Sequence, residues 1–298
     1  MPSFIRPETM PISWYPGHMH KARRELAQTL RECDLLLEIL DARAPAASAN
    51  PLLAEMRGNL PCLRILNKSD LADPAVTTNW QAWYRRQPGS DCLINGLDSK
   101  LKTGELLGAA RRLLKNSNHE TRQMLIYGIP NTGKSTLLNQ ILDRKLAKTG
   151  NEPAVTRHQQ RVKLDDQWTL IDTPGLLWPR LTDQTAAYRL AFIGSIRNTA
   201  LDVQDVGEML AQTLLKEFPD QLLQRYRFDS LPTDAGLLLE SLGRQRGCLG
   251  RRGQVDHYKA AELLLNEFRS GKIGALSLEQ PVESARQPST SEQGHEVT

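Results

Sequence analysis

The stretch that decides the fold is Gly128-Ile-Pro-Asn-Thr-Gly133-Lys134-Ser135, which fits the phosphate-binding pattern G-x-x-x-x-G-K-[ST]. An apolar run from Thr121 to Tyr127 precedes it, and a helix is predicted from Lys134 to about Leu142. Strand, glycine loop and helix therefore come in the order that this pattern needs, because its backbone N–H groups must surround phosphate oxygens. The stretch predicts a site for a nucleotide triphosphate.

The loop residues have separate expected roles. Lys134 is expected to neutralise the β and γ oxygens and to assist catalysis, and the Ser135 hydroxyl to ligate Mg²⁺. The predicted nucleotide contacts of the loop are Asn131, Thr132, Gly133, Lys134, Ser135 and Thr136.

A second acidic element follows the apolar run Trp168 to Ile171, where the chain reads Asp172-Thr-Pro-Gly175. Alone, D-x-x-G is usually a turn. At a strand end downstream of the phosphate loop, it is the expected partner of that loop: Asp172 would hold Mg²⁺ through water, and the Gly175 amide would sense the γ-phosphate.

The choice of base is predicted by Asn67-Lys68-Ser69-Asp70, which fits N-K-x-D. Asp70 can accept from the N1 and N2 hydrogens of guanine, Asn67 would hold the base and its loop, and the Lys68 stem would pack over the purine. Beside a phosphate loop this motif favours GTP, with an ATPase of the same fold as the alternative.

The guanine motif comes before the phosphate loop, which reverses the usual order. Both can serve one nucleotide only if the fold is circularly permuted, with the specificity half first (G4-G5-G1-G2-G3). The fold class is then α/β: a P-loop GTPase domain over residues 1–190, with a mostly parallel sheet and helices on both faces. Helices alone are predicted for 191–278, and a disordered polar tail for 279–298.

Apolar runs place the strands and helices. The predicted strands are Asp34–Asp41, Cys62–Leu66, Asp91–Ile94 and Thr121–Tyr127, followed by a hairpin of Arg161–Leu164 and Trp168–Ile171. The predicted helices are 19–33, Gly104–Lys115, Lys134–Leu142, Gln204–Phe218, Ala235–Leu242 and Tyr258–Phe268.

The polar segment between Leu146 and Gln160 has the composition of a switch. Thr156 is its expected ligand for Mg²⁺ and the γ-phosphate and hence part of the catalytic site, and Thr149 lies close enough to be the alternative.

Composition sets the class and the compartment. The 298 residues carry 38 Lys and Arg against 34 Asp and Glu, a net charge of +4 that allows an RNA partner without requiring one. The four cysteines form no C-x-x-C pair, so they are expected to be reduced and structural. We find no run long enough to span a bilayer, so the expected location is the cytoplasm, with no membrane or DNA partner.

Several motifs together carry a family resemblance. They are Trp14-Tyr-Pro-Gly-His18-Met19, Asp41-Ala-Arg43-Ala-Pro45, Asn50-Pro51, Arg246-Gly-Cys-Leu-Gly250 and Phe268-Arg-Ser-Gly271-Lys-Ile-Gly274. With the swapped motif order, the chain resembles the YlqF/RbgA family of circularly permuted GTPases (ribosome biogenesis GTPase A). The resemblance implies a role in late maturation of the large (50S) ribosomal subunit, with ribosomal proteins and rRNA as partners and hydrolysis stimulated by the particle.

The resemblance also assigns residues. Leu176 stands where Ras-like enzymes carry a glutamine, and the family gives the task of orienting water to the histidine that is His18 here. Asn131 matches the asparagine that helps bind K⁺. The family's serine-alanine element is Asn95-Gly96 in this chain, so the contact that completes the guanine pocket stays open, and Ala154 replaces a usual glycine near Thr156.

Basic residues are concentrated near the end of the helical region, which suits a phosphate backbone. They are Arg244, Arg246, Arg251, Arg252, Lys259, Arg269 and Lys272. A rival function from another class is a nucleotide-gated RNA scaffold in which hydrolysis is incidental.

Overall fold

The computed structural model describes residues 19–115, 119–142, 160–172, 183–196 and 202–281, with side chains from residue 24 onward. Within these ranges the chain forms one six-stranded sheet with helices against it. The α/β class predicted from the sequence is confirmed.

The sheet orders its strands β3-β2-β1-β4-β6-β5. All neighbours are parallel except β5, which is antiparallel to β6. The strands are β1 (Leu35–Asp41), β2 (Cys62–Asn67), β3 (Ser90–Ile94), β4 (Arg122–Tyr127), β5 (Gln160–Lys163) and β6 (Trp168–Asp172).

The central strands are buried on both faces, which explains why β1 and β2 have almost continuous apolar sequences. Apart from the last residue of each strand, the exceptions are Glu38 and Arg64, which are opposite each other in register and joined at 3.0 Å between Arg64 Nε and Glu38 Oε2. The charges neutralise each other, so the sheet can contain them.

Helices pack against the sheet, and the described elements after β6 are all helical. They are α1 (Met19–Glu32), α2 (Pro45–Ser48), α3 (Pro51–Arg57), α4 (Pro74–Arg85), α5 (Thr103–Leu113), α6 (Lys134–Ile141), α7 (Gln184–Phe192), α8 (Val203–Glu217), α9 (Pro219–Tyr226), α10 (Ala235–Arg246) and α11 (His257–Arg269).

Aspartate side chains define where many of these helices begin. A carboxylate that accepts from a backbone N–H of the first turn satisfies a donor that has no partner within the helix. The capping residues of α4, α7, α8, α10 and α11 are Asp73, Asp183, Asp202, Asp234 and Asp256.

The two faces of the sheet have separate cores. On one face Leu37 and Ile39 pack with α5 and α6. On the other, Leu36 and Leu125 belong to one apolar cluster with side chains of α7, α8, α10 and α11. The C-terminal helices therefore share a core with the sheet, and the boundary expected after residue 190 falls inside α7.

The segment after α11 returns to the sheet. Leu276 N donates to Leu71 O at 3.0 Å, Leu278 N donates to Arg43 O at 2.8 Å, and Ala47 N donates to a carboxylate oxygen of Glu279 at 3.0 Å. The composition places Glu279 at the start of the disordered tail. This prediction is wrong for Glu279, because its side chain accepts a hydrogen bond from the backbone of α2. Residues 282–298 lie outside the described ranges.

The cysteines are unpaired thiols. Burial raises the pKa of Cys33, Cys62 and Cys92 to about 12, so these thiols stay protonated and act as small apolar side chains. Within the described ranges, no helix has both the length and the apolar character that a bilayer crossing requires.

Candidate functional site

The described motif residues lie at one edge of the sheet. Since β1, β2, β3, β4 and β6 run parallel, their carboxyl ends meet at this edge, where ligands bind in open α/β sheets. The residues at those ends are Asp41, Asn67, Asn95, Gly128 and Asp172.

The phosphate loop needs glycine at two positions for steric reasons. A Cβ at Gly128 would lie 2.8 Å from Thr132 Oγ1, and one at Gly133 would lie 2.3 Å from Asn67 Nδ2. Gly133 also has a φ of +89°, in the left-handed region. The loop thus enters α6 in the tight conformation that the sequence pattern predicts.

The threonines of this loop differ in position. Thr132 is fully buried, and its hydroxyl donates to Ile129 O at 2.9 Å, so this side chain stabilises the loop from within. Thr136 is exposed on the first turn of α6.

Lys134 and Asp172 form a buried ion pair between the ends of β4 and β6. The Lys134 side chain is 7% exposed and that of Asp172 is 2% exposed. An ammonium and a carboxylate held together at the start of a helix present both charges that bind a phosphate group with its metal ion.

The donor set fits Mg²⁺ of the kind that is shared with a nucleotide. This ion keeps several waters and takes one or two protein oxygens in addition to phosphate oxygens. Ser135 is half-buried on the first turn of α6, next to Lys134 and its partner Asp172. No cluster of three or more His, Cys, Asp or Glu suited to a metal occurs among the described residues.

The guanine motif contacts the phosphate loop directly. Asn67 Nδ2 donates to Thr132 O at 2.6 Å, and Asn67 Oδ1 accepts from Asn95 Nδ2 at 2.6 Å. Asn95 Oδ1 in turn accepts from Leu101 N and from Gln140 Nε2, each at 2.9 Å. Sequence reasoning did not assign Asn95, and the available signal was a polar residue directly after a strand.

Asp70 lies against the loop that follows β3. Its Oδ1 accepts from Leu97 N at 3.0 Å, and a Cβ at Gly96 would lie 2.9 Å from that same oxygen. Gly96 is therefore required for the close approach of the two loops. In this chain the backbone N–H of Leu97, directly after Asn95-Gly96, orients the carboxylate of Asp70.

Lys68 connects three parts of the site. Its φ is +60°, and its ammonium forms a 3.1 Å ion pair with Asp41 and donates to the carbonyl of Asn131 in the phosphate loop. Arg43 contacts the same Asp41 carboxylate through Nε at 2.9 Å and Nη2 at 2.8 Å.

In this network, burial and the nearby charges act against each other, and the pKa values of Asp41 and Lys68 are both lowered. Burial alone would raise the pKa of Asp41, but Arg43 and Lys68 hold it well below its usual range. Burial lowers the pKa of Lys68, and the Asp41 carboxylate opposes that effect. Asp41 is therefore an anion that fixes the lysine of the guanine motif.

The side chain of Asn131 contacts the turn that follows α7. Its Nδ2 donates to Gly194 O at 2.7 Å, directly after α7. The amide oxygen is the atom that could ligate K⁺, and this hydrogen bond fixes the plane of the amide.

Several of the site residues expected from the sequence lie outside the described ranges. They are His18, Thr149, Thr156 and Gly175, and Leu176 lies outside them as well.

Comparisons with known proteins agree with this geometry. A family model described as "50S ribosome-binding GTPase" matches residues 123–225. Ribosome biogenesis GTPase A of Priestia megaterium is 40% identical over 94% of this chain and 100% of its own length. The protein of the same name from Bacillus pumilus is 37% identical over 91% of this chain and 99% of its own length.

A solved structure matches as well. The GDP-bound structure of TM YlqF has a TM-score of 0.61 and 25% identity to this chain, covering 87% of it and 99% of the solved chain. Because full-length relatives at this identity share family as well as fold, the chain belongs to the ribosome biogenesis GTPase A family.

Proposed function

We propose that this GTPase acts late in assembly of the large (50S) ribosomal subunit, binds the precursor particle in its GTP form and is released on hydrolysis. The observation that carries the proposal is the contact between Asn67 and Thr132, which joins a guanine motif to a phosphate loop. The names of the full-length relatives supply the setting, ribosome biogenesis. As these relatives are bacterial proteins, the proposed location is the cytoplasm.

The proposed chain order is a circular permutation of a standard GTPase domain. In support, the guanine motif at 67–70 and the phosphate loop at 128–135 meet at one edge of the sheet. The guanine motif comes first in the sequence, with Asn67 lying 61 positions before Gly128. The parallel pairing of β1 with both β2 and β4 brings the two halves together.

The proposed binding of GTP uses both halves at once. Lys134, with the loop amides of Asn131 to Gly133, would bind the β and γ phosphates, while Asp70 accepts from guanine and the Lys68 stem covers the purine. Ser135 and Asp172 would hold Mg²⁺, directly and through water. Bound Mg²⁺ supplies charge neutralisation for the phosphates.

The catalytic device is proposed from the family rather than from contacts. His18 would orient the attacking water, Thr156 would order on Mg²⁺ and the γ-phosphate, and the Gly175 amide would report that phosphate. Asn131 would bind K⁺ through its amide oxygen, and in support Gly194 O fixes the amide from the other side. Docking on the particle would complete this arrangement.

Contact with rRNA is proposed for the hairpin that joins α10 to α11. Leu249 and Val255 form an antiparallel bridge, and Arg251 and Arg252 are exposed at its tip. Tyr258 is 50% exposed nearby in sequence, a residue type that stacks on unpaired bases.

Two other basic residues of this region have acidic partners nearby in sequence. Arg244 pairs with Glu240 at 2.6 Å, and Lys259 pairs with Asp256 at 3.2 Å. The hairpin tip is therefore the part of the predicted basic cluster best suited to a phosphate backbone.

The test is single-turnover GTP hydrolysis with and without isolated large subunits. We expect subunits to raise the rate, and His18→Ala to remove most of that rise while sparing nucleotide affinity. If the rate stays at its intrinsic value while RNA binding still follows the nucleotide, the protein is instead a nucleotide-gated scaffold.

A further inference from the structure

The last turn of α11 contacts two segments that lead to the nucleotide motifs. The side chain of Arg269 contacts the end of α7, and its backbone carbonyl, with the ring of Phe268, contacts Arg43. Arg269 Nε donates to Phe192 O at 3.0 Å and Arg269 Nη2 to Ala191 O at 2.7 Å. These carbonyls belong to the C-terminal end of α7, where helix carbonyls lack partners and a cation is favourable. The helical region thus caps the helix that precedes Gly194.

The first connection leads from Arg269 to the phosphate loop. Gly194 follows α7 with a φ of +78°, and a Cβ there would lie 3.3 Å from Arg269 Nε. On the other side, Gly194 O accepts from Asn131 Nδ2 at 2.7 Å. The turn is therefore enclosed between an arginine of α11 and the loop asparagine, so a shift of either one displaces the other.

The second connection leads to the guanine motif. The guanidinium of Arg43 lies 5.5 Å from the centroid of the Phe268 ring, and its Nη1 donates to Arg269 O at 3.4 Å. Arg43 is 1% exposed, and two of its guanidinium nitrogens donate to the Asp41 carboxylate. The same carboxylate forms an ion pair with Lys68. Because Arg43 and Asp41 are buried and joined by charged hydrogen bonds, a displacement of one displaces the other.

The two connections also meet within the site. Lys68, at the end of the second, donates to the backbone carbonyl of Asn131, at the end of the first. The result is a closed circuit of contacts from α11 through both nucleotide-reading loops. Burial, followed by the nearby charge of Arg43, lowers the pKa of Arg269, which agrees with the close packing of these two arginines.

We propose that Arg269 is a positioning residue for the nucleotide site: its side chain holds Asn131 through the Gly194 turn, and its backbone carbonyl accepts from Arg43, which leads through Asp41 to Lys68. Nucleotide binding and the order of the helical region are thereby energetically coupled. This inference rests on the proposed binding of GTP at the joined motifs. Linkage requires the coupling to be reciprocal: nucleotide protects α11, and a change at Arg269 weakens nucleotide binding.

Arg269→Met removes the side-chain bonds to the end of α7 and keeps the backbone carbonyl that accepts from Arg43, so it interrupts the connection to Asn131. The matched control is Arg86→Met, which removes an exposed arginine at the end of α4. One readout is the affinity for fluorescent GDP and for a non-hydrolysable GTP analogue. The other is hydrogen exchange of α11 with and without nucleotide. For Arg269→Met we expect a loss of affinity of about ten-fold and loss of the nucleotide-dependent protection of α11. Arg86→Met is expected to match the unaltered protein in both.

Arg269→Lys keeps the test decisive if the methionine variant does not fold. Lysine retains the charge at the end of α7 but cannot donate in the fork geometry that reaches two carbonyls, so we expect a smaller loss in both readouts. Full affinity and full nucleotide-dependent protection in Arg269→Lys would overturn the proposal, whatever the methionine variant does. If the unaltered protein bound no guanine nucleotide, the proposed function itself would fail instead.

Discussion

The side-chain amide of Asn67 donates a 2.6 Å hydrogen bond to the backbone carbonyl of Thr132. Asn67 belongs to the motif that reads guanine, and Thr132 belongs to the loop that binds phosphate. Both partners are buried, so water does not compete for the bond. This contact fixes the distance between the two motifs that are proposed to hold the two ends of one nucleotide.

Replacing Lys134 with alanine removes the cation expected to face the β and γ phosphates and leaves Asp172 without its buried partner. Charged hydrogen bonds to a ligand contribute roughly 3 kcal/mol, which corresponds to a loss in GTP affinity of about 100-fold. Titration with a fluorescent GTP analogue measures this, with Lys163→Ala on the exposed strand β5 as the control. Normal affinity in Lys134→Ala would remove Lys134 from the phosphate site.

Changing Asp70 to asparagine alters the choice of base. An amide places a donor where the carboxylate accepted, which repels the N1 and N2 hydrogens of guanine but suits the C2 carbonyl of xanthine. We expect preference for GDP over XDP to fall by at least about 100-fold, the size of effect seen when a buried polar contact is mismatched. Competition binding with GDP, XDP and ADP measures this, and an unchanged order of preference would mean that Asp70 does not read the base.

Asn95 is predicted to be a structural part of the guanine pocket. Asn95→Ala removes the side-chain hydrogen-bond partner of Asn67 Oδ1 and of Leu101 N, while Gln140 Nε2 keeps its bond to Leu101 O. A buried polar group that loses its hydrogen-bond partner destabilises the folded protein by about 1–3 kcal/mol. The free energy of unfolding in urea should fall by that amount, and GDP affinity should fall with it.

The exposed Asn79 on α4 offers a control of the same residue type. Asn79→Ala is expected to leave both measurements unchanged. Equal behaviour of the two alanine variants would mean that Asn95 does not support Asn67.

The Asp41 carboxylate predicts how stability depends on pH. Its pKa is lowered in the folded protein from an ordinary value of 3.8. The stabilisation is therefore present above pH 3.8 and is lost as the pH falls through the folded pKa. Asp41→Asn should lose about 3–5 kcal/mol of unfolding free energy at neutral pH, because Arg43 and Lys68 lose their buried partner.

Below the ordinary pKa, the slope of stability against pH should be shallower in Asp41→Asn than in the unaltered protein. Urea unfolding at a series of pH values measures both effects, with Asp166→Asn in the exposed turn between β5 and β6 as the control. Identical slopes in all three proteins would contradict the role given to Asp41.

The strands of the sheet could be predicted from the sequence because parallel, doubly buried strands are continuous apolar runs. The observed β1 and β4, for example, differ from the predicted runs by a single residue at their starts. Helix α9 is missing from the predicted helices. It begins at Pro219, and at the first position of a helix the missing N–H of proline removes no hydrogen bond.

The motifs predicted which residues gather at the site, but not how they are held there. The contacts of Asn95 and Arg43 depend on long-range packing, and no local pattern specifies a partner such as Phe268. Composition also misplaced Glu279, since a carboxylate in a polar tail gives no sign that it will accept from the first turn of α2.

The most direct measurement is sedimentation of the protein with isolated large ribosomal subunits, comparing GDP with a non-hydrolysable GTP analogue. A ligand shifts binding only through a difference in affinity between two states, so the γ-phosphate must change the affinity for the particle. We predict that the protein pellets with subunits in the analogue and stays in the supernatant with GDP. Equal pelleting in both nucleotides would contradict the account.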